Sequence, residues 1–254
     1  MTEALTALAN PNSATIAIYS LKGGVGKTTL AVNLAWCAAT LSARRTLLWD
    51  LDPQAASTFL LSDRRAKGQA QGVFTKDVDP AKLIVRTATD RLDLLGADTS
   101  LRGLDVLFHE LDKKKLLTKL LATAGKDFDR VILDCPPGIT ETSDQVMRAA
   151  DLIVVPVIPS PLSERAYAEV VEQLGGRSAL MPVHAMVDRR RKVHADALAR
   201  HPAWPVIPMA SVIEQMAVKR APLGRFAARS PGAQSFAALW QAIEKRLAET
   251  PGAR

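Results

Sequence analysis

Two cysteines in 254 residues, Cys37 and Cys135, are too few and too far apart for a disulfide framework or a metal cluster. Both read as packed thiols, which suits a reducing cytoplasm, the expected location. No apolar run approaches the length of about 20 residues that a membrane span requires. The first 14 residues hold no cationic region followed by an apolar one, so a secretory signal is not expected there. Residues 1–14 read as a flexible leader and 15–250 as a single domain, with no internal repeat and no long linker. Against these absences stand 48% hydrophobic residues, ample for a core, and a net charge of +7. That surplus permits a polyanionic partner without demanding one.

Apolar runs alternate with helical patterns from end to end, which predicts an α/β fold with a doubly wound, mostly parallel sheet flanked by helices. Strands are expected at Ile16–Tyr19, Thr46–Trp49, Arg91–Leu95, Val131–Leu133, Leu152–Val155 (ending at Pro156), 179–187 and Val206-Ile207. Leu30, Leu34, Ala38 and Leu41 are spaced for one buried helix face. Further helices are expected over 104–124 and 162–174, from the basic run at 189 to about Ala199, and at the end, striped by Phe236, Leu239, Trp240, Ile243 and Leu247. Residues 62–90 are polar and poorly periodic and read as loops with a short helix.

The most informative stretch is Lys22-Gly23-Gly24-Val25-Gly26-Lys27-Thr28-Thr29, between the first strand and the first helix. A strand, a glycine loop and a helix N-terminus in that order make an anion site, because backbone N–H groups converge where the helix dipole is positive. Lys27 is placed to reach the β- and γ-phosphates of a nucleoside triphosphate, and the Thr28 hydroxyl to hold Mg²⁺. Leu21 stands where the ordinary loop has its first glycine, and Lys22 adds a second cation. Asp50, Asp52 and Asp134 follow apolar strands, and ligands of an open parallel sheet sit beyond the carboxyl ends of its strands. An Asp after such a strand, as at Asp134, is the usual Mg²⁺ partner in phosphate-loop enzymes.

The loop, the segment Asp50-Leu51-Asp52-Pro53-Gln54 and the segment Asp134-Cys135-Pro136-Pro137 together resemble the three signatures of the ParA/MinD ATPases, the deviant Walker-A group of phosphate-loop NTPases. The resemblance continues through Val155-Pro156, Ser160-Pro161-Leu162, Ile207-Pro208, Ala221-Pro222 and Ser235-Phe236, and it favours the ParA, or partition, branch. It implies that Lys22 crosses an ATP-bound dimer interface to the partner's nucleotide. It assigns Lys27 and Thr28 to phosphate and Mg²⁺ in cis, Asp52 to the attacking water, Asp50 to the Mg²⁺ shell and Asp134 to the Walker-B role. Pro136-Pro137-Gly138 resembles the γ-phosphate switch, and Pro208 falls among the expected nucleotide contacts with Gly23, Gly24, Val25, Gly26 and Thr29.

The resemblance further implies an ATP-dependent homodimer that binds non-specific DNA through basic surface residues and is released by a cargo-bound, ParB-like stimulating partner. Arg189, Arg190, Arg191, Lys192, Lys219 and Arg220 are the candidates, since phosphate contacts need only positive charge on one face. A nucleoid-associated protein is the corollary. With 14 residues ahead of the first strand, no helix-turn-helix extension is expected. The alternative is a MinD-like membrane-cycling ATPase, which needs an amphipathic lipid-binding helix at residues 233–248. That helix reads instead as packed core, so stable membrane association is not expected. An iron–sulfur carrier lacks paired cysteines, and a related tyrosine kinase would want more than Tyr19 and Tyr167.

Overall fold

The computed structural model describes residues 13–63, 68–75, 77–111, 115–124, 126–175 and 179–249. Most of the expected leader, residues 1–12, lies outside them, but its boundary moves, because Ala14 already belongs to the first strand. In chain order the strands are β1 Ala14–Ile18, β2 Thr46–Asp50, β3 Ile84–Arg86, β4 Leu92–Leu95, β5 Arg130–Asp134, β6 Leu152–Val157, β7 Ala179–Val187 and β8 Val206–Pro208. They form one sheet in the order β3-β4-β2-β5-β1-β6-β7-β8, parallel except for the antiparallel edge strand β3.

The helices are α1 Lys27–Leu41, α2 Ala56–Leu61, α3 Gly72–Thr75, α4 Pro80–Leu83, α5 Leu104–Leu111, α6 Leu116–Ala124, α7 Glu141–Ala149, α8 Pro161–Leu174, α9 Lys192–Arg200, α10 Ser211–Lys219, α11 Leu223–Phe226 and α12 Pro231–Glu249. A 3₁₀ turn, Thr99–Gly103, precedes α5.

Strand alternation divides the interior into two cores. Ile16 and Ile18 of β1, Ile132 of β5 and Leu152 and Val154 of β6 face α1 and α12. Ala17, Val131, Leu133, Ile153 and Val155 face the opposite layer with α5, α6, α7 and α8. Such two-sided coverage explains why the central strands read as continuous apolar runs. Phe236, Leu239, Trp240 and Ile243 of α12 are buried, so the terminal stripe belongs to the core.

Several boundaries differ from the sequence expectation. β6 continues through Pro156, where pairing with β1 has already stopped at Val154 and only β7 runs alongside. The helix expected over 104–124 is described as two, α5 ending at Leu111 and α6 beginning at Leu116. Lys115 sits in a turn, and Lys113 and Lys114 lie outside the described residues. Leu41 is 52% exposed, since the buried stripe of α1 ends at Ala39. The basic run does not open α9 at residue 189: Arg189 and Arg190 form a turn, Arg191 is the N-cap, and only Lys192 is helical.

One charged contact secures the terminal helix. Glu244 accepts hydrogen bonds from Arg130 Nε at 2.6 Å and Nη2 at 3.0 Å, and Arg44 joins at 3.3 Å. The Arg130 side chain is only 6% exposed. Removing the carboxylate would leave a buried guanidinium without its counter-charge, though still donating to the Asp129 carbonyl at 2.7 Å, so Glu244→Ala is expected to cost about 3 kcal/mol, read as a lowered denaturant midpoint at unchanged slope.

Candidate active site

The carboxyl ends of β1, β2, β5 and β7 open onto a cleft of about 720 Å³. Gly23, Gly24, Gly26, Lys27, Thr28 and Thr29 line it from the loop after β1. Asp52, Pro53 and Gln54 line it after β2, and Pro136 and Pro137 after β5. Gly24 at φ 71° and Gly26 at φ 91° hold left-handed conformations that turn the chain from β1 into α1, and Gly26 is the helix N-cap. Val25 points inward and is buried. Lys27 is 7% exposed, and its Nζ donates to the Lys22 carbonyl at 3.0 Å, closing the loop on itself. Burial lowers the pKa of Lys27, opposed by the carboxylates of Asp134 and Asp52.

Two acidic residues form the floor. Asp50 and Asp134 are register partners on the adjacent strands β2 and β5, and both are fully buried. Burial, and then the nearby Asp134 charge, push Asp50 up to about 8. Burial likewise raises Asp134 to about 6, against hydrogen bonding from Ser57 and Thr28. Asp134 Oδ2 accepts from Ser57 Oγ at 2.7 Å, whereas Oδ1 is buried with no hydrogen-bonding partner among the described residues. An orphaned buried carboxylate oxygen beside a threonine hydroxyl is what a hard cation would complete. No group of three His, Cys, Asp or Glu side chains fit to hold a metal occurs among the described residues.

Asp50 is enclosed by donors of this chain. Its Oδ2 accepts from the Thr58 N–H at 2.9 Å and hydroxyl at 2.8 Å, and its Oδ1 from the Asp52 N–H at 3.1 Å. Like Asp134, it is not itself among the lining residues; these bonds tie it to α2 and the Asp52 turn. Asp52 is partly exposed at the cleft wall, and its Oδ1 accepts from the Gln54 N–H at 2.8 Å. After β5, Gly138 is tied to β1, its carbonyl accepting from the buried Tyr19 hydroxyl at 2.9 Å.

Lys22 is half-buried and does not line its own cleft. Pro208, at the end of β8, is not among the lining residues either. Two lining residues escaped the sequence reading. Met186 sits near the end of β7 at a strained φ of 53°, with its methyl 3.6 Å from where a Cβ on Gly26 would stand. Arg102 comes from the 3₁₀ turn after β4. The only local signal for Arg102 was Asp98, a turn-capping residue just past a strand; Met186 had none.

The basic candidates fall on two exposed segments. Arg189, Arg191 and Lys192 are exposed between β7 and α9, but Arg190 is bound bidentately to Asp188 at 2.9 and 3.0 Å. Lys219 ends α10 and is exposed. The Arg220 guanidinium, expected at a DNA surface, is bound to Asp63 at 2.7 Å and to the carbonyls of Phe59 and Ser62, over the Phe59 ring. It straps α10 to α2.

A family model described as an AAA domain matches residues 13–176. The chromosome-partitioning ATPase Soj of Thermus thermophilus is 30% identical over 256 residues, covering 92% of this chain and 96% of that protein. The chain belongs to the ParA-type partition ATPase family. With other curated relatives the match is shorter: the chain spans 57% of the sporulation initiation inhibitor Soj of Bacillus subtilis, at 34% identity over 145 residues, and 51% of the ParA of Myxococcus xanthus. Among solved structures, apo McdA of Cyanothece superposes with a TM-score of 0.79 at 21% identity, covering 92% of this chain and 99% of that one, a likeness of fold. Cobyrinic acid a,c-diamide synthase of Mycobacterium smegmatis, solved with an ATP analogue and magnesium, gives 0.73 at 28% identity, covering 92% and 95%.

The pKa shifts have a consequence for stability. An acid raised in the folded state contributes stability that is complete below its unfolded value of 3.8 and is lost as pH rises to the folded value. Asp134 completes its loss near 6 and Asp50 near 8. The thermal midpoint of the metal-free protein is therefore expected to fall between about pH 6 and about pH 8. In Asp50→Asn that slope should be markedly smaller, as read by scanning calorimetry.

Proposed function

We propose that this chain is a Mg²⁺-dependent ATPase that dimerises on ATP, coats DNA without sequence preference, and is released when a cargo-bound partner stimulates hydrolysis. The observation that carries the ATPase reading is the unpartnered, buried Asp134 Oδ1 beside Thr28, beneath the glycine loop and Lys27. Thr28 and Asp134 would hold Mg²⁺, which would neutralise phosphate charge there. The loop N–H groups of Gly23–Gly26 and the N-terminus of α1 bind phosphate oxygens, and Lys27 exchanges the Lys22 carbonyl for them. Asp52 Oδ2, which no described residue engages, accepts a hydrogen bond from the attacking water and orients it toward the terminal phosphorus. Bound ATP analogue and magnesium in the mycobacterial synthase, 28% identical to this chain, support the same cofactors here.

Two features support dimerisation. Lys22 is carried by the loop yet stands outside its own cleft, as a lysine would that serves the partner's phosphates. Exposed Ile139, Leu162 and Met209 follow β5, β6 and β8 at the end of the sheet that carries the cleft, and such apolar side chains favour a second protein surface there. The membrane-cycling alternative draws no support from α12, whose apolar stripe is buried.

DNA contact rests on Arg189, Arg191, Lys192 and Lys219, with Arg190 and Arg220 held by carboxylates of this chain. The cargo is a plasmid, chromosome or protein cluster. A gel shift on non-specific duplex with ATP, ADP or no nucleotide tests the reading: retardation with ATP alone is expected, and equal retardation in all three would overturn the cycle. Replacing Arg189, Arg191 and Lys192 by Ala should weaken that binding and lower the steepness of its salt dependence by about three phosphate contacts. Lys22→Ala should retain ATP binding while losing partner-stimulated turnover; undiminished turnover would remove the trans role of Lys22.

A further inference from the structure

We propose that Arg102 is a terminal-phosphate-binding residue of the cleft, a cation supplied in cis that distinguishes ATP from ADP. The inference rests on the ATPase reading above and extends its site. Arg102 lines the same cleft as Gly23, Gly24 and Asp52. Its guanidinium is exposed and makes no ion pair or hydrogen bond with any described residue, unlike Arg190 and Arg220. An arginine without an internal partner at the wall of a phosphate cleft has five donors and a full charge for an oxyanion.

Position on the sheet says which phosphate. The order β4-β2-β5-β1-β6-β7 spreads the cleft from the turn after β4, which carries Arg102, to Met186 on β7. The glycine loop follows the central strand β1. Asp134 and Asp52, assigned to cation and water, follow β5 and β2, so Arg102 flanks the cleft on their side. That flank receives the terminal phosphate and the attacking water, while Met186 offers an apolar contact at the opposite one.

The turn is built to hold its arginine still. Asp98 Oδ1 caps it by accepting from the Ser100 N–H at 2.9 Å and hydroxyl at 2.5 Å, while Oδ2 binds the N–H groups of Gln69 and Ala70. Ser100 Oγ accepts from the Gln71 N–H at 3.0 Å. Leu101 and Leu104 are buried on either side of Arg102. Three residues on, Asp105 accepts from the Thr142 N–H at 2.9 Å and hydroxyl at 2.7 Å, locking the turn to the start of α7. Α7 follows the Pro136–Gly138 segment of the cleft wall, so Arg102 and that wall are fixed to each other. A cation carried on a fixed turn at this wall is placed to meet charge on a transferring phosphoryl group, and an arginine in cis serves that purpose in other phosphate-loop enzymes.

The test is calorimetric titration of the full chain with Mg²⁺ and either a non-hydrolysable ATP analogue or ADP, for the wild type, Arg102→Ala and Arg102→Lys. Loss of a charge-assisted contact should weaken analogue binding by about tenfold or more in Arg102→Ala and leave ADP binding within about twofold. Arg102→Lys should recover part of the loss. Unchanged analogue affinity would overturn the inference and leave the ATPase reading intact. So would an equal loss for both nucleotides, which marks a disturbed turn. A wild type that binds neither nucleotide would overturn the ATPase reading and this inference with it.

Discussion

Two carboxylates side by side in a dry interior are the constraint around which this site is arranged. Parallel pairing of β2 with β5 sets Asp50 against Asp134, and neither reaches solvent. Two neighbouring charges without water raise each other's proton affinity, so each needs donors or a cation nearby. The surroundings provide them unequally. Asp50 is enclosed by Thr58 and the Asp52 N–H, and Asp134 receives Ser57 on one oxygen only. Ser57 and Thr58 both belong to the first turn of α2, which locates that short helix at the mouth of the sheet. Asp50 thus has both oxygens engaged, and Asp134 keeps one oxygen without a hydrogen-bond partner among the described residues.

The chemistry that needs contiguous residues was the part legible in the sequence. A glycine loop must lie between a strand and a helix, and the acids must close apolar strands, so Gly23–Thr29, Asp52 and Asp134 could be found by local reading. The donors that Thr58 gives Asp50 were not legible, because Thr58 becomes its neighbour only once α2 turns back over β2. Arg102 and Met186 were not legible: each is set in place by a separate segment after a different strand. The same limit applied to the basic surface. Arg190 lies two residues from its partner, yet Arg220 meets Asp63 across 157 residues, a distance at which sequence carries no sign of pairing.

The central strands, β8 and α12 were legible in the sequence, whereas β3, α7 and α10 were not. The central strands and α12 have the two-sided burial or the full apolar stripe that makes a pattern readable. Edge strand β3, with three residues, has no room for one. The division between α5 and α6 depended on reading four charged residues as a break, although a helix can carry such residues on a solvated face.

The closed state of the loop bears on how the site is filled. The Lys27 ammonium is bound to the Lys22 carbonyl, inside a loop in which Gly24 and Gly26 are left-handed. An incoming phosphate must displace that carbonyl, so occupancy of the pocket and release of the Lys22 backbone are one event. The loop thus acts as its own competitor, and the second lysine is loosened only when there is cargo in the first lysine's grip.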